Sequence, residues 1–166
     1  LRVLFMAASP VDVHPVLDYE GEEAQILEAT KQQPLALRVE DTGSLVGLGR
    51  AFDDHADGTF DVLHLSGHGE IDAMDEPVML LEDEAGRRKD ADAREIGEVI
   101  DGRWPRVVVI SGCHTAEQPQ GGTALSLTQA IVDQGAESGL GWAQPVYDRT
   151  GILFARKFFE RLSTGR

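Results

Sequence analysis

The chain has 166 residues, of which 42% are hydrophobic and 27% are charged, so its composition excludes disordered and fibrous proteins. This length is typical of one domain, and we predict a single domain over residues 1–166. The 29 acidic and 15 basic side chains give a net charge of −14, which would repel nucleic acid and anionic membranes and attract a peptide rich in Arg or Lys.

Hydrophobic runs alternate with helical patterns along the chain, and glycine or proline stands at many of the boundaries between them. The predicted strands cover residues 2–8, 35–39, 60–66, 106–111 and 136–142, with a small hairpin at 78–86. The predicted helices cover residues 17–33, 44–55, 92–100, 123–134 and 150–162. Because strands alternate with helices through short turns, we expect an α/β fold whose mostly parallel sheet is covered by helices on both faces.

Two of these elements carry more detailed expectations. The run at 106–111 is the most β-branched in the chain, which predicts a central strand buried on both faces. In the helix at 17–33 we expect Ala24, Ile26 and Leu27 to face inward. The glutamates of this helix are expected to face solvent, namely Glu20, Glu22, Glu23 and Glu28.

Chemically useful side chains follow two of the predicted strands. His68 lies in the segment 66–69 (SGHG), and Cys113 lies in the segment 111–114 (SGCH). Functional residues of parallel sheets collect at the carboxyl ends of the strands, so neighbouring strands would bring this imidazole and this thiol together. An imidazole beside a thiol raises the thiolate fraction and makes a nucleophile. The glycines around them leave the amides of Gly69 and Cys113 free to bind a developing oxyanion.

The same residues also permit less specific interpretations. A lone cysteine is commonly an inert buried side chain, and a lone histidine commonly packs or caps a turn. We expect His64, inside a predicted strand, to be a core histidine whose hydrogen bonds are satisfied and which supports the loop after it. A zinc hydrolase built on His64, His68, Cys113 and His114 has suitable ligand types, but its spacing matches no established metal site. We therefore predict no metal and no cofactor.

Two motifs identify a resemblance that covers nearly the whole chain. Residues 63–69 (LHLSGHG) and 107–113 (VVVISGC) resemble the CHAT domain, a caspase-like cysteine peptidase related to caspases, gingipains and separase. The opening segment 4–10 with Glu20 and the closing segment 141–159 are similar to the corresponding parts of that family. The order and spacing of these segments together make the match specific.

The resemblance implies a three-layer caspase-like (caspase–hemoglobinase) fold and a cysteine endopeptidase acting on a protein substrate. His68 would be the catalytic histidine, Cys113 the nucleophile, and the amides of Gly69 and Cys113 the oxyanion hole. Repeat or regulatory domains in the same or a partner chain would control it. The chain departs from the family in having His114 where an acidic residue is common and Gly112 where alanine is common. The alternative is a catalytically silent caspase-like scaffold.

Asp148 is the candidate for substrate specificity. Residues 146–148 (VYD) follow Trp142, and this resembles separase, in which an acidic residue recognises a basic P1 side chain. A carboxylate facing Arg gains a bidentate, charge-assisted contact. Asp148 also stands two residues before Thr150, where it could simply cap the last helix. The sequence leaves these two interpretations open.

The remaining features bear on the cellular location of the protein and on the extent of the chain. Cys113 is the only cysteine, which excludes a disulfide within the chain and fits a reducing compartment, so we expect a cytoplasmic protein. No apolar run has the roughly 18–20 residues of a membrane span, and no signal peptide is visible. The chain begins with Leu1 and ends just after a helical pattern, so we expect it to be part of a longer protein.

Overall fold

The computed structural model describes residues 1–31, 35–55, 60–113, 115, 126–145 and 147–164. In chain order its elements are β1 (Arg2–Ala7), α1 (Tyr19–Thr30), β2 (Ala36–Glu40), α2 (Leu45–Asp53), β3 (Val62–Ser66), β4 (His68–Ile71), β5 (Pro77–Glu82), β6 (Arg88–Ala91), α3 (Ala93–Val99), β7 (Val107–Ser111), α4 (Leu127–Asp133), β8 (Ser138–Leu140) and α5 (Asp148–Ser163).

A five-stranded sheet forms the middle layer, with the strands in the order β2-β1-β3-β7-β8 and every neighbouring pair parallel. The strands β3 and β7, whose ends carry the two predicted functional segments, lie side by side in this sheet. Their register places Ser66 opposite Ser111 at the carboxyl end of the pair. The predicted α/β fold with a mostly parallel central sheet is therefore confirmed.

Helices cover both faces of this sheet. On one face α1 packs against α5, and the buried side chains there are Val3, Phe5, Ile26, Val62, Val109, Ala155 and Phe159. The larger cluster on the other face includes side chains of α2, α3 and α4. These are the three layers expected from the sequence.

The structure also contains a three-stranded antiparallel sheet in the order β4-β5-β6, of which the sequence predicted only two strands. The hairpin predicted at 78–86 is present as β5 and β6, with Gly86 in its turn at a φ of 71°. The sequence did not predict β4, which begins at His68 after a single intervening glycine and pairs with β5. This strand is four residues long and contains a glycine, so it lacks the alternating pattern by which strands are recognised.

The observed boundaries of α1 and α5, the first and last helices, differ by a few residues from the predicted ones. Helix α1 is shorter than predicted and α5 begins at Asp148 rather than at residue 150. The predicted start of the fourth helix, at residues 123–125, lies outside the described residues. Among the described helices, none combines the length and the apolar character that crossing a membrane requires.

The packing of α5 on the sheet gives a stability prediction. Phe159 is fully buried between α5 and the sheet, whereas Leu153 on the same helix is 50% exposed. We expect Phe159→Ala to lower the free energy of unfolding by about 3–5 kcal/mol, because it leaves a cavity in the core. Leu153→Ala should change it by only about 0.5 kcal/mol. Urea denaturation measures both, and equal effects would contradict this packing.

Candidate active site

The ends of β3 and β7 open into one cavity of about 410 Å³. His68 and Cys113 both line it, and so do Ser66, Ser111 and Asp148. Both His68 and Cys113 are half-buried, so each is accessible from the cavity. The structure thus brings the predicted nucleophile, the predicted base and the predicted specificity residue to the same cavity.

The backbones on either side of this cavity touch each other because glycines leave no side chain between them. The Gly67 N–H donates a hydrogen bond to the Ser111 carbonyl at 3.1 Å. A Cβ on Gly112 would lie 2.9 Å from the Gly67 carbonyl oxygen, and a Cβ on Gly69 would overlap the Cys113 carbonyl oxygen. Such contacts are tighter than a real side chain tolerates, so the close approach requires glycine at both positions. Gly69 lies directly against Cys113, its predicted partner in the oxyanion hole.

The segment that carries Cys113 is held in place by hydrogen bonds of Thr115. The side chain of Thr115 is buried, and its hydroxyl donates to the Gly112 carbonyl at 2.8 Å and accepts from the Trp142 N–H at 3.2 Å. Its own carbonyl accepts from the Thr128 N–H. Sequence analysis missed this residue, since a lone threonine after the cysteine carries no recognisable signal.

His68 is oriented by a main-chain carbonyl. Its Nε2 lies 2.8 Å from the carbonyl oxygen of Pro15, in the loop between β1 and α1. A carbonyl oxygen only accepts, so Nε2 carries the hydrogen and donates it. In the neutral ring Nδ1 is then the nitrogen with the free lone pair. The sequence could not have identified Pro15, because the group that acts is a backbone atom.

Asp148 is the first residue of α5 and is exposed at the cavity. The N-cap of this helix is Tyr147, which makes no capping hydrogen bond through its side chain. The Asp148 Oδ2 accepts instead from the backbone N–H of Asp18 at 3.0 Å. The carboxylate therefore joins the start of α5 to the segment before α1 rather than serving as the N-cap that the sequence left open.

A buried carboxylate lies beneath the cavity. Glu22 was expected to face solvent, but it is only 3% exposed, so this prediction is wrong. Its Oε1 lies 3.1 Å from His64 Nε2, and its Oε2 accepts from the Ser66 hydroxyl at 2.5 Å. The buried residues of α1 are Glu22, Ile26 and Thr30, which are spaced four apart and so share one face. That spacing could have revealed Glu22, because it places the carboxylate on the same face as Ile26.

Burial raises the pKa of Glu22, but hydrogen bonds with the imidazole of His64 and the hydroxyls of Ser66 and Ser111, together with attraction from that imidazole, outweigh this effect. The net result is a pKa below the ordinary value. Glu22 is therefore ionised near neutrality, and His64 donates to it through Nε2. His64 is buried in the core as predicted, but its hydrogen bonds are not all satisfied, because Nδ1 has no partner among the described residues.

The zinc alternative gains no support from the part of the chain that the structure describes. No group of three or more His, Cys, Asp or Glu side chains is arranged there to hold a metal ion. His114, one of the four proposed ligands, lies outside the described residues.

The comparison with known protein families gives one match. A family model described as the CHAT domain matches residues 3–166, which is nearly the whole chain. No curated protein matches the chain significantly. The family suggested by the two strand-end motifs is the one that the model finds.

The glycine contacts predict the effect of adding a methyl group. We expect Gly69→Ala to lower the free energy of unfolding by about 1–3 kcal/mol, because its Cβ would overlap the Cys113 carbonyl oxygen. Glu70→Ala is the matched control at the next position; it removes only a partly exposed ion pair with Arg88, worth at most about 1 kcal/mol. Denaturant unfolding compares the two variants, and a Gly69 variant no less stable than the control would refute the contact.

The buried carboxylate predicts a pH dependence of stability. Because the pKa of Glu22 is lowered by folding, its ionisation stabilises the protein above the ordinary value of 4.5, and this stabilisation disappears as the pH falls through the lower folded value. Glu22→Gln should therefore be less stable than the wild type near neutrality, and the difference should shrink in acid. Glu20→Gln, an exposed change on the same helix, should keep the wild-type pH profile. Thermal unfolding across pH measures this, and a difference that grows in acid would contradict it.

Proposed function

We propose that the chain, which belongs to the CHAT family, is a cysteine endopeptidase whose catalytic dyad is His68 and Cys113. The observation that carries the proposal is that these two residues follow adjacent parallel strands and line one cavity. Their segments are in direct main-chain contact, which only glycine at positions 69 and 112 permits. A silent scaffold would have no chemical need for a thiol and an imidazole at this one opening.

The hydrogen bond of His68 supports its role as the base. With Nε2 donating to the Pro15 carbonyl, Nδ1 is available to accept the proton of the Cys113 thiol. The sulfur then forms a bond to the scissile carbonyl carbon, and Nδ1–H returns the proton to the leaving amine as the C–N bond breaks. Water hydrolyses the resulting thioester. The Pro15 carbonyl would also stabilise the imidazolium that forms during the first step.

The oxyanion that develops in this reaction needs donors beside the attacking sulfur. We assign them to the backbone amides of Gly69 and Cys113. The contact between Gly69 and the Cys113 carbonyl places these two residues side by side, which supports the assignment.

Asp148 supports a preference for a basic side chain at P1. It is exposed at the cavity that Cys113 lines, and its carboxylate would gain a charge-assisted contact with Arg or Lys. The net charge of −14 would attract such a substrate over a longer range. Control by attached or partner domains and a cytoplasmic location stay predictions from the sequence.

Cleavage of a peptide library tests the proposal. We expect Cys113→Ala to abolish cleavage, and His68→Ala to lower kcat by about 10²–10⁴-fold because the general base is lost. Asp148→Ala should retain cleavage and lose only the preference for Arg or Lys at P1. Asp133→Ala removes another exposed carboxylate, which lies on α4 and does not line the cavity, and this variant should retain both cleavage and the P1 preference.

Two results would overturn the proposal. Cleavage that survives in Cys113→Ala would exclude this nucleophile. A wild-type chain that cleaves no peptide and is not labelled at Cys113 by a peptidyl electrophile would favour the silent scaffold.

A further inference from the structure

Two glutamates are buried among the described residues, and they differ in what they bind. Glu40 bonds only to nearby groups of its own turn, the backbone N–H groups of Thr42 and Gly43 and the Thr42 hydroxyl. Glu22 instead bonds to groups more than forty residues away, His64 and Ser66. The Glu40 carboxylate closes a local turn, whereas the Glu22 carboxylate joins α1 to the sheet.

The hydroxyls around Glu22 come from the two strands that lead to the candidate dyad. Ser66 ends β3 two residues before His68, and Ser111 ends β7 two residues before Cys113. These serines are register partners in adjacent strands, and both line the cavity. The Ser111 hydroxyl also helps to lower the pKa of Glu22. The carboxylate therefore binds the end of β3 directly through Ser66, and it lies near the register partner of that serine at the end of β7.

The position of this carboxylate is fixed from the other side as well. Its other partner, His64, is fully buried between Phe5 and Phe159, with ring centroids 5.3 and 5.6 Å away. At the start of α5, a Cβ on Gly151 would lie 3.2 Å from the Ser111 hydroxyl oxygen, so α5 packs closely over that serine. Packing around His64 and the close approach of α5 to Ser111 therefore restrict the movement of these groups.

We propose that Glu22 is a positioning residue, which binds Ser66 beside its register partner Ser111 and thereby fixes the separation of the His68 imidazole and the Cys113 thiol. This inference rests on the proposed function, because it concerns the same dyad. Glu22 does not line the cavity and so acts through the serines rather than on the substrate. An ionised carboxylate can accept from both hydroxyls at once, whereas the amide of Gln offers one acceptor oxygen and one donor group.

The reactivity of Cys113 towards iodoacetamide measures the dyad without requiring any peptide substrate. The thiolate attacks the methylene carbon, a C–S bond forms, and iodide leaves. Cys113 is the only cysteine, so alkylation of the chain reports on this one site. A thiolate held by an imidazole is alkylated at lower pH than an isolated thiol, and His68→Ala supplies the reference profile of a thiol without its base.

We expect Glu22→Gln to shift the pH profile of alkylation towards that of His68→Ala, and to lower the rate near neutrality by roughly tenfold to a hundredfold. Glu20→Gln, the same change on the exposed side of α1, should keep the wild-type profile. Ser111→Ala should shift the profile in the same direction as Glu22→Gln. The double variant should lose little more than Glu22→Gln alone, since both changes remove one network.

The outcomes separate this inference from the proposed function. If His68→Ala leaves the alkylation profile unchanged, there is no dyad, and both the proposed function and the positioning role are wrong. If His68→Ala shifts the profile but a folded Glu22→Gln does not, Glu22 contributes only stability and this inference alone is wrong. Circular dichroism at the assay temperature establishes folding. Should Glu22→Gln be unfolded, the milder Ser111→Ala decides, and a wild-type profile there overturns the inference.

Discussion

The register between β3 and β7 is the constraint on which the rest of the site depends. It sets Ser66 opposite Ser111, and the Gly67 N–H then bonds to the Ser111 carbonyl just beyond the paired residues. A shift of one residue in either strand would turn its side chains to the opposite face of the sheet. The core prevents this shift, because Val62 and Val109 on the same face are buried under α1 and α5. Hydrophobic packing in the middle of the sheet thus determines where the imidazole and the thiol emerge.

The same alternation explains why a charged group is tolerated in the interior. Along β3 the side chains facing α1 are Val62, His64 and Ser66, so an apolar strip becomes polar towards its carboxyl end. Glu22 meets this strip at its polar end. A buried carboxylate without partners would be costly, but one that accepts from an imidazole and the Ser66 hydroxyl remains ionised. The layer beneath the cavity is therefore polar and charged, and the burial of Glu22, His64 and Ser66 strengthens the electrostatic interactions within it.

The sequence predicted the succession of most strands and helices along the chain, because long apolar or helical patterns dominate local structure. It also located the two strand-end segments, since glycine beside a reactive side chain is a recognisable pattern. It could not predict β4, which is too short and polar to show a period. Pro15 and Asp18 act through a backbone carbonyl and a backbone N–H, which side-chain patterns in the sequence cannot predict. Glu22 was predicted to face solvent because glutamate is usually exposed, although its spacing from Ile26 placed it on the buried face of α1.

Three of the residues that the sequence did not reveal lie in one segment at the start of α1. Pro15 bonds to His68, Asp18 bonds to Asp148, and Glu22 bonds to Ser66, so this segment contacts several of the residues that line the cavity. Asp18 also caps α1 through the Gly21 N–H, which ties this segment to the helix that carries Glu22. A displacement of α1 would therefore move the contacts to His68, Asp148 and Ser66 together. The β3–β7 register sets where the imidazole and the thiol emerge, and the segment from residue 15 to residue 22 adds contacts to the residues around them.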